Sequence, residues 1–301
     1  MKKYYSKLLL FGEFTIIKGS SGLAIPYQRY NGQWVFDEES NDSNKALSEW
    51  CEYLNKQAIP KNLSIRLDLK QFEEDIAHGL TFQSNIPLGY GVGSSGALAV
   101  AFFEKYVTVI HIGKHDMLQL KTIFIWLEEF FHGGGSGVDP LICYYQQPLL
   151  IKQNYQFELT TLPKFIEGSN QTCFLLNTNI SRSTEPLVKG FLEMCSNPNY
   201  ELKCKEELGY FTNNAITAFL SKNNEMLLEQ VRLISRFQYE YFQKMIPNAF
   251  NPVWELGLFS NIYSLKLCGA GGGGFILGFT GDWKATQEVL KDYELEVVFY
   301  L

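Results

Sequence analysis

Thirteen residues, IPLGYGVGSSGAL at 86–98, hold four glycines and two serines and run straight into an Ala/Val/Phe-rich stretch. Glycine inside an element costs about 0.5–1 kcal/mol relative to alanine. A chain that places so many before a good helix is therefore constrained there, and an anion at the helix start is one thing that offsets the cost. Backbone N–H groups of a glycine loop converge on phosphate oxygens, and the helix behind adds its dipole and unpaired donors. Gly89, Gly91, Gly93, Ser94 and Ser95 fit that need. The serines also suit a helix cap, and a serine hydroxyl can ligate Mg²⁺. On these residues alone, phosphate binding and a flexible serine-capped turn both stay open. No Gly-Lys-Ser/Thr follows, and the loop comes after TFQSNIP rather than a clean buried strand, which argues against a P-loop and a dinucleotide fingerprint.

Two further glycine loops narrow the possibilities. In KLCGAGGGGFILGF (266–279), five of the six residues from Gly269 to Gly274 are glycine, between two apolar runs. A hairpin needs one or two. The surplus points to close approach of backbone to a ligand or to another loop, with a crowded turn as the alternative. The other loop, Gly133 to Gly137, ends in Val138-Asp139. Before it, Glu128 falls beside an apolar stripe, four residues after Phe124 and three before Phe131. A carboxylate there costs several kcal/mol unless it binds metal or has a buried Arg or Lys partner. Glu129 lies on another face and reads as solvated. Asp139 precedes Pro140, which pins its backbone in an extended shape, or else makes it a helix N-cap. Lys7 opens the first strand; beside a carboxylate it would orient that group and polarise an incoming hydroxyl.

A chain of 301 residues makes one large domain or two ordinary ones. With 46% hydrophobic and 19% charged residues it buries a real core. The net charge of −6, without a basic stripe, argues against nucleic acid as a main partner. No apolar stretch approaches the roughly 20 residues of a membrane span. The basic start MKKYYSKLLLFGEF has an apolar core only from Leu8 to Phe11, too short for a signal peptide, so a cytoplasmic location is expected. None of Cys51, Cys143, Cys173, Cys195, Cys204 and Cys268 forms a Cys-x-x-Cys pair, and buried free thiols are expected.

Periodicity predicts two strands joined by a tight turn over 7–17, short strands in GLAIPYQRY and GQWVF, a helix over 45–56 and a half-buried strand over 63–69. It then predicts helices over 96–112 and 117–131, a hairpin from PLLI and YQFELT, and a strand in QTCFLLNTN. Helices are expected over 185–195, 201–221 and 223–245, followed by strand, glycine loop, strand, helix and a final strand, ELEVVFYL. That order implies two α+β lobes, with the boundary near 160–172.

Three segments in order, SKLLLFGEFTIIKG, PLGYGVGSSGAL and LCGAGGGGF, resemble the three motifs of the GHMP kinase superfamily. EEFFHGGGSGVD, with its run from Glu128 to Asp139, and LLNTNISRSTEPLV (175–188) are most similar to the mevalonate kinases. The resemblance implies an α+β, two-lobed GHMP kinase-like fold. A ribosomal-protein-S5-like N-terminal lobe would occupy 1–165, and a ferredoxin-like C-terminal lobe 166–301. It implies transfer of the ATP γ-phosphoryl group to an alcohol, most simply mevalonate. Another acceptor, such as phosphomevalonate, and a non-catalytic ligand-binding protein are the alternatives. By the same resemblance Asp139 is the catalytic carboxylate and Lys7 its partner, and Ser95 and Glu128 are Mg²⁺ ligands with Ser94 beside them. Pro87, Gly89, Gly91, Gly93 and Gly96 belong to the phosphate loop, joined by Gly271 and Gly272. Glu13, Arg182, Thr184 and Gly271 lie on the acceptor side. The expected partner is a small molecule, not nucleic acid or membrane, and the expected state a monomer or homodimer. The chain departs from the pattern where many members read Gly-Glu-His: it has Gly12-Glu13-Phe14, closer to the phosphomevalonate kinases. That acceptor would need extra cations, for which Lys18, Arg29, Arg182 and Lys189 are candidates.

Overall fold

Strand β1 (Tyr4–Phe11) lies beside β2 (Gly22–Phe36) in a sheet, and the link between them departs from the sequence expectation. The second strand predicted within 7–17 is absent; Thr15–Lys18 form a 3₁₀ turn instead. Gly12 at φ 113° and Phe14 at φ 64° turn the chain. The amide of Thr15 then donates to Glu13 O at 2.7 Å and that of Ile16 to Gly12 O at 3.1 Å. The reward is burial of the Phe14 ring, which is 5% exposed. Beyond the turn, the two strands expected from GLAIPYQRY and GQWVF are one continuous strand, β2.

A computed structural model describes residues 2–37, 41–110, 116–132, 136–153 and 156–301. It divides into two compact units, each assembled from separated stretches of chain. One unit comprises Met1–Lys7, Pro26–Pro87 and Gly93–Gln146; the other comprises Leu8–Ile25, Leu88–Val92 and Gln147–Leu301. The lobe boundary drawn at 165 is a single cut, whereas these units interleave.

In the first unit, α1 (Asn41–Lys56) is followed by β3 (Ile65–Leu67), α2 (Leu69–Ala77) and β4 (Leu80–Ser84), which pairs with the end of β2 from Gly32 to Phe36. The strand predicted over 63–69 is thus shorter. Asp68 ends it by capping α2, its side chain accepting from the Gln71 amide at 3.1 Å. Helix α3 (Ser94–Tyr106) likewise stops before the predicted 112, because the β-branched Val107-Thr108-Val109 form β5 (Val107–Val109) against β3. Helices α4 (Met117–His132) and α5 (Val138–Tyr145) complete the unit. The buried face of α3 includes Gly96, Ala97, Ala99 and Ala101, small residues that let its neighbours pack closely. Its Phe102 packs into a cluster with Trp50, tilted, and Phe72, edge-on, at ring distances of 4.7 and 4.9 Å.

In the second unit, β6 (Leu149–Lys152) and β7 (Gln156–Leu159) form the expected hairpin, and β6 pairs with Gly22–Ala24 of β2. After β8 (Thr172–Asn177) come α6 (Glu185–Met194), α7 (Pro198–Lys203), a π-helical turn over Cys204–Leu208, α8 (Gly209–Leu220), α9 (Asn224–Tyr241) and α10 (Asn251–Ser260). The chain closes with β9 (Tyr263–Leu267), β10 (Phe275–Thr280), α11 (Trp283–Val289) and β11 (Leu295–Tyr300). Their antiparallel sheet has the order β11-β8-β10-β9. That is the split order of a β-α-β-β-α-β unit, the ferredoxin-like arrangement expected for the C-terminal half. All six cysteines are buried and free. Among the described residues no helix is long and apolar enough to cross a membrane.

Candidate active site

Four of the predicted site residues come together as two pairs within the first unit. Lys7, on β1, places its Nζ 2.8 Å from Asp139 Oδ2. Ser95, on α3, donates from its hydroxyl to Glu128 Oε1 on α4 at 2.9 Å. The pairs sense each other: the charges of Asp139 and Lys7 both act on Glu128.

The local backbone explains why these elements meet. Gly93 is the N-cap of α3, at φ 85°, and a Cβ there would lie 2.9 Å from Cγ of Lys7. Its bare Cα is what lets the lysine stem run alongside the helix start. Gly96 faces α5: its Cβ would lie 3.0 Å from Pro140 N and 3.1 Å from the Asp139 carbonyl carbon. Two expectations are corrected here. Ser94 and Ser95 do not cap α3; they are its first two residues, and Gly93 caps it without a side-chain hydrogen bond. Asp139 is neither extended nor an N-cap, for it sits in the first turn of α5 behind the left-handed Gly137. Pro140 is tolerated because first-turn N–H groups have no intrahelical acceptor. Gly133 to Gly135 of the preceding loop lie outside the described residues.

Glu128 is the electrostatic focus. It is 4% exposed, and burial pushes its carboxyl up from 4.5 to about 8, with the Asp139 charge adding to the rise. The Ser95 hydroxyl and the Lys7 ammonium work in the opposite direction without offsetting it. A buried carboxylate short of positive charge beside a hydroxyl is a hard-oxygen pair of the kind Mg²⁺ takes. Among the described residues no group of three or more His, Cys, Asp and Glu is poised for a metal. A cation at Ser95 and Glu128 would therefore draw its other oxygens from phosphate and water, as Mg²⁺ commonly does. The residues fit that ion.

The remaining predicted residues, except Pro87, which ends a first-unit segment, lie in the second unit. Gly89 and Gly91 have φ of 76° and 72°, and their missing side chains leave room for protein. A Cβ at Gly89 would meet Ser181 Oγ at 2.1 Å, and one at Gly91 would meet Arg182 Nη2 at 2.2 Å. Arg182 in turn donates through Nη1 to Thr184 Oγ1 at 2.5 Å. The third loop is explained the same way. Gly271 abuts Met245 O, Gly272 abuts Leu187, Gly273 abuts Ile180 O, and Gly274 abuts Tyr90. Close approach to other parts of the chain, among them the loop residues Ile180 and Tyr90 and Leu187 of α6, occupies the space at these four positions. Glu13, expected on the acceptor side, is buried, with Oε1 2.5 Å from Lys266 Nζ. That lysine is fully buried, also donates to Leu267 O at 2.8 Å, and was not anticipated from the sequence. Its position three residues before the glycine loop was the signal available, and a lysine in an apolar strand is too common to act on.

Residues 56–147 match the model of the GHMP kinases N-terminal domain. Comparison with curated sequences returns no match. Among solved structures, L. major mevalonate kinase in complex with R-mevalonate is similar at a TM-score of 0.64 and 14% identity, over 97% of this chain and 90% of that one. Streptococcus pneumoniae phosphomevalonate kinase in complex with phosphomevalonate and AMPPNP is similar at 0.62 and 14%, over 98% and 99%. Lactococcus lactis galactokinase complexed with galactose is similar at 0.61 and 13%, over 98% and 92%. The match to the GHMP kinases N-terminal domain spans residues 56–147, and the fold of the whole chain is similar to mevalonate kinase, phosphomevalonate kinase and galactokinase alike.

Proposed function

We propose that the protein is an ATP- and Mg²⁺-dependent kinase that phosphorylates the hydroxyl of a small alcohol, with mevalonate as the acceptor. The observation that carries this reading is the Lys7–Asp139 ion pair, set in one unit with the Ser95–Glu128 pair. In sequence terms the catalytic residues, and the nucleotide residues other than Gly271 and Gly272, fall within 1–165, and the acceptor-side residues other than Glu13 within 166–301. The reading involves a small-molecule partner in the cytoplasm, for a monomer or homodimer, and neither nucleic acid nor membrane.

Phosphoryl transfer needs positioning and charge stabilisation more than covalent chemistry. Asp139 accepts the acceptor's hydroxyl proton as the oxygen–phosphorus bond forms and the bond to the ADP oxygen breaks. Lys7 holds the Asp139 carboxylate in position through their 2.8 Å ion pair. The N–H groups at the start of α3, behind Gly93, offer the partial positive charge that a phosphate takes. Ser95 and Glu128 would hold Mg²⁺, which when bound would neutralise charge on the transferring group.

The acceptor is read by ADP release with mevalonate, phosphomevalonate, homoserine and galactose. The expected result is fastest turnover with mevalonate, and no turnover with any of the four would overturn the reading. Phosphomevalonate is the second reading, favoured by Phe14 where many members carry histidine. Of its candidate cations, Lys18 is already engaged with Glu201 at 2.9 Å, and Arg182 donates to Thr184.

A further inference from the structure

Leu267 ends β9 two residues before the five-glycine loop, and among the described residues β9 has a strand on one side only. The residue is 1% exposed, so its backbone N–H and C=O need partners other than water. Two buried side chains supply them. The Leu267 amide donates to Gln238 Oε1, on α9, at 2.8 Å, and the Leu267 carbonyl accepts from Lys266 Nζ at 2.8 Å. The Lys266 ammonium is held in turn by Glu13 and lies 5.6 Å from the centre of the Phe11 ring. Glu13 is anchored by its neighbour: Phe14 packs against Phe191 of α6 at 4.7 Å and, at 5.2 Å, against Phe242, which caps the end of α9 one turn after Gln238. Carboxylate, ammonium and carboxamide thus converge on one residue at the mouth of the loop.

The loop itself has little stiffness, since five of its residues are glycines at positive φ. Its shape is imposed where it is tied. The Gly272 amide donates to Met245 O at 2.5 Å. At the far end the Thr178 hydroxyl donates to Gly274 O at 2.7 Å, and the Gly274 amide to Ile180 O at 2.7 Å. Leu88–Val92, the part of the phosphate loop that belongs to the same unit, rests against it. A Cβ at Gly274 would lie 2.7 Å from Tyr90 Cα, and the Tyr90 ring meets Phe275 edge-on at 5.0 Å. The Arg182 amide, two residues beyond Ile180, donates to Gly89 O at 3.2 Å. Every link from Glu13 to Gly89 lies within the second unit.

We propose that Gln238, Lys266 and Glu13 are positioning residues for the phosphate loop. They fix Leu267, and through the glycine loop they hold residues 88–92 in the shape that receives a nucleotide's phosphates. The receipt of phosphates rests on the kinase reading; the positioning of 88–92 does not. Glu13 accordingly acts through Lys266 rather than on the acceptor.

Two variants each remove one support. Gln238→Met leaves the Leu267 amide without its acceptor. Glu13→Gln combined with Lys266→Met leaves the Leu267 carbonyl without its donor and takes away both buried charges. Each is compared with the wild type, well below its Tm, by titration with AMPPNP and Mg²⁺. Hydrogen exchange without nucleotide is followed at the amides of Gly272, Gly274 and Arg182, with those of β8 as reference. Both variants are expected to exchange the three amides faster, with β8 unchanged, and to bind the nucleotide more weakly. Each effect should be roughly tenfold or more, the scale of one lost buried hydrogen bond. Unchanged exchange in either variant overturns the proposal. Faster exchange with unchanged nucleotide affinity also overturns it and leaves the kinase reading standing. A wild type that binds no nucleotide, in which the variants still loosen the three amides, upholds the positioning of 88–92 and overturns the kinase reading. If one variant does not fold, the other decides; loss of a cooperative melt in both overturns the proposal, because the three residues would then hold up the core rather than the loop.

Discussion

The ion pair between Lys7 and Asp139 is asymmetric: the lysine side chain is 6% exposed and the aspartate side chain 38%. The ammonium end is dry and fixed, whereas the carboxylate end is open to a ligand. A group that only stabilised the fold would have no need of that exposure.

Asp139→Asn is expected to keep nucleotide binding and lose about 10²–10⁴-fold in turnover, the range for a positioned base. Nucleotide titration together with steady-state rates checks it. A variant with normal turnover would remove Asp139 from the role proposed.

Glu128 makes stability depend on pH in a stated direction. Its native carboxyl titrates at about 8, against 4.5 ordinarily. The native state therefore holds a proton that the unfolded chain has released. The resulting stabilisation is full below about 4.5 and lost as the pH rises through about 8. Glu128→Gln is expected to flatten this dependence. The Tm of the variant should rise relative to the wild type between about pH 5 and 9, corresponding to a few kcal/mol at most. Mg²⁺, binding the ionised form, should raise the wild-type Tm more at high pH than at low pH. Parallel melting curves for the two proteins across that range would contradict the assignment.

Gly96→Ala carries the opposite sign from the usual rule. Alanine for glycine in a helix ordinarily gains about 1 kcal/mol. Here the added methyl presses on the backbone at Asp139 and Pro140. The expected outcome is no gain in stability, with kcat reduced by up to about 10²-fold through displacement of Asp139. Paired thermal melts and kinetics decide; a more stable, fully active variant would refute it.

Lys266→Met removes the lysine partner of the buried Glu13 carboxylate. Removing one partner of a buried pair costs about 3–5 kcal/mol, measurable by urea denaturation. Adding Glu13→Gln is expected to restore most of the loss, since the buried negative charge goes with it. A double variant as unstable as the single one would show that the pair matters for another reason.

The glycine loops were legible because a run of glycine is a local statement about backbone. Glu128 was legible because a carboxylate beside an apolar stripe violates the helix pattern. What could not be read was set by distant partners. Nothing around Glu13 announces Lys266, and nothing in Phe14 announces the left-handed backbone that aims it at Phe191 and Phe242. The local signal of proline after Asp139 pointed to extended chain, and the left-handed Gly137 overrode it by starting a helix one residue earlier. Helices α2 and α10 were missed although both carry start signals, Asp68 at the cap of α2 and Pro252 in the first turn of α10. The Asp68 cap was hidden by the alternating apolar residues just before it, which read as strand.

The interleaving of the two units has a consequence for how the molecule is made. Residues 8–25 belong with a body whose remainder, apart from five residues, starts at 147. On the ribosome the segment Gly22–Ala24 emerges early, yet its partner Leu149–Ile151 is more than a hundred codons away. At about 5–20 residues per second, that apolar edge waits unpaired for several seconds or longer while the first unit completes. Nascent chains should therefore lean on a chaperone over this interval, and slowing translation within it should cost yield.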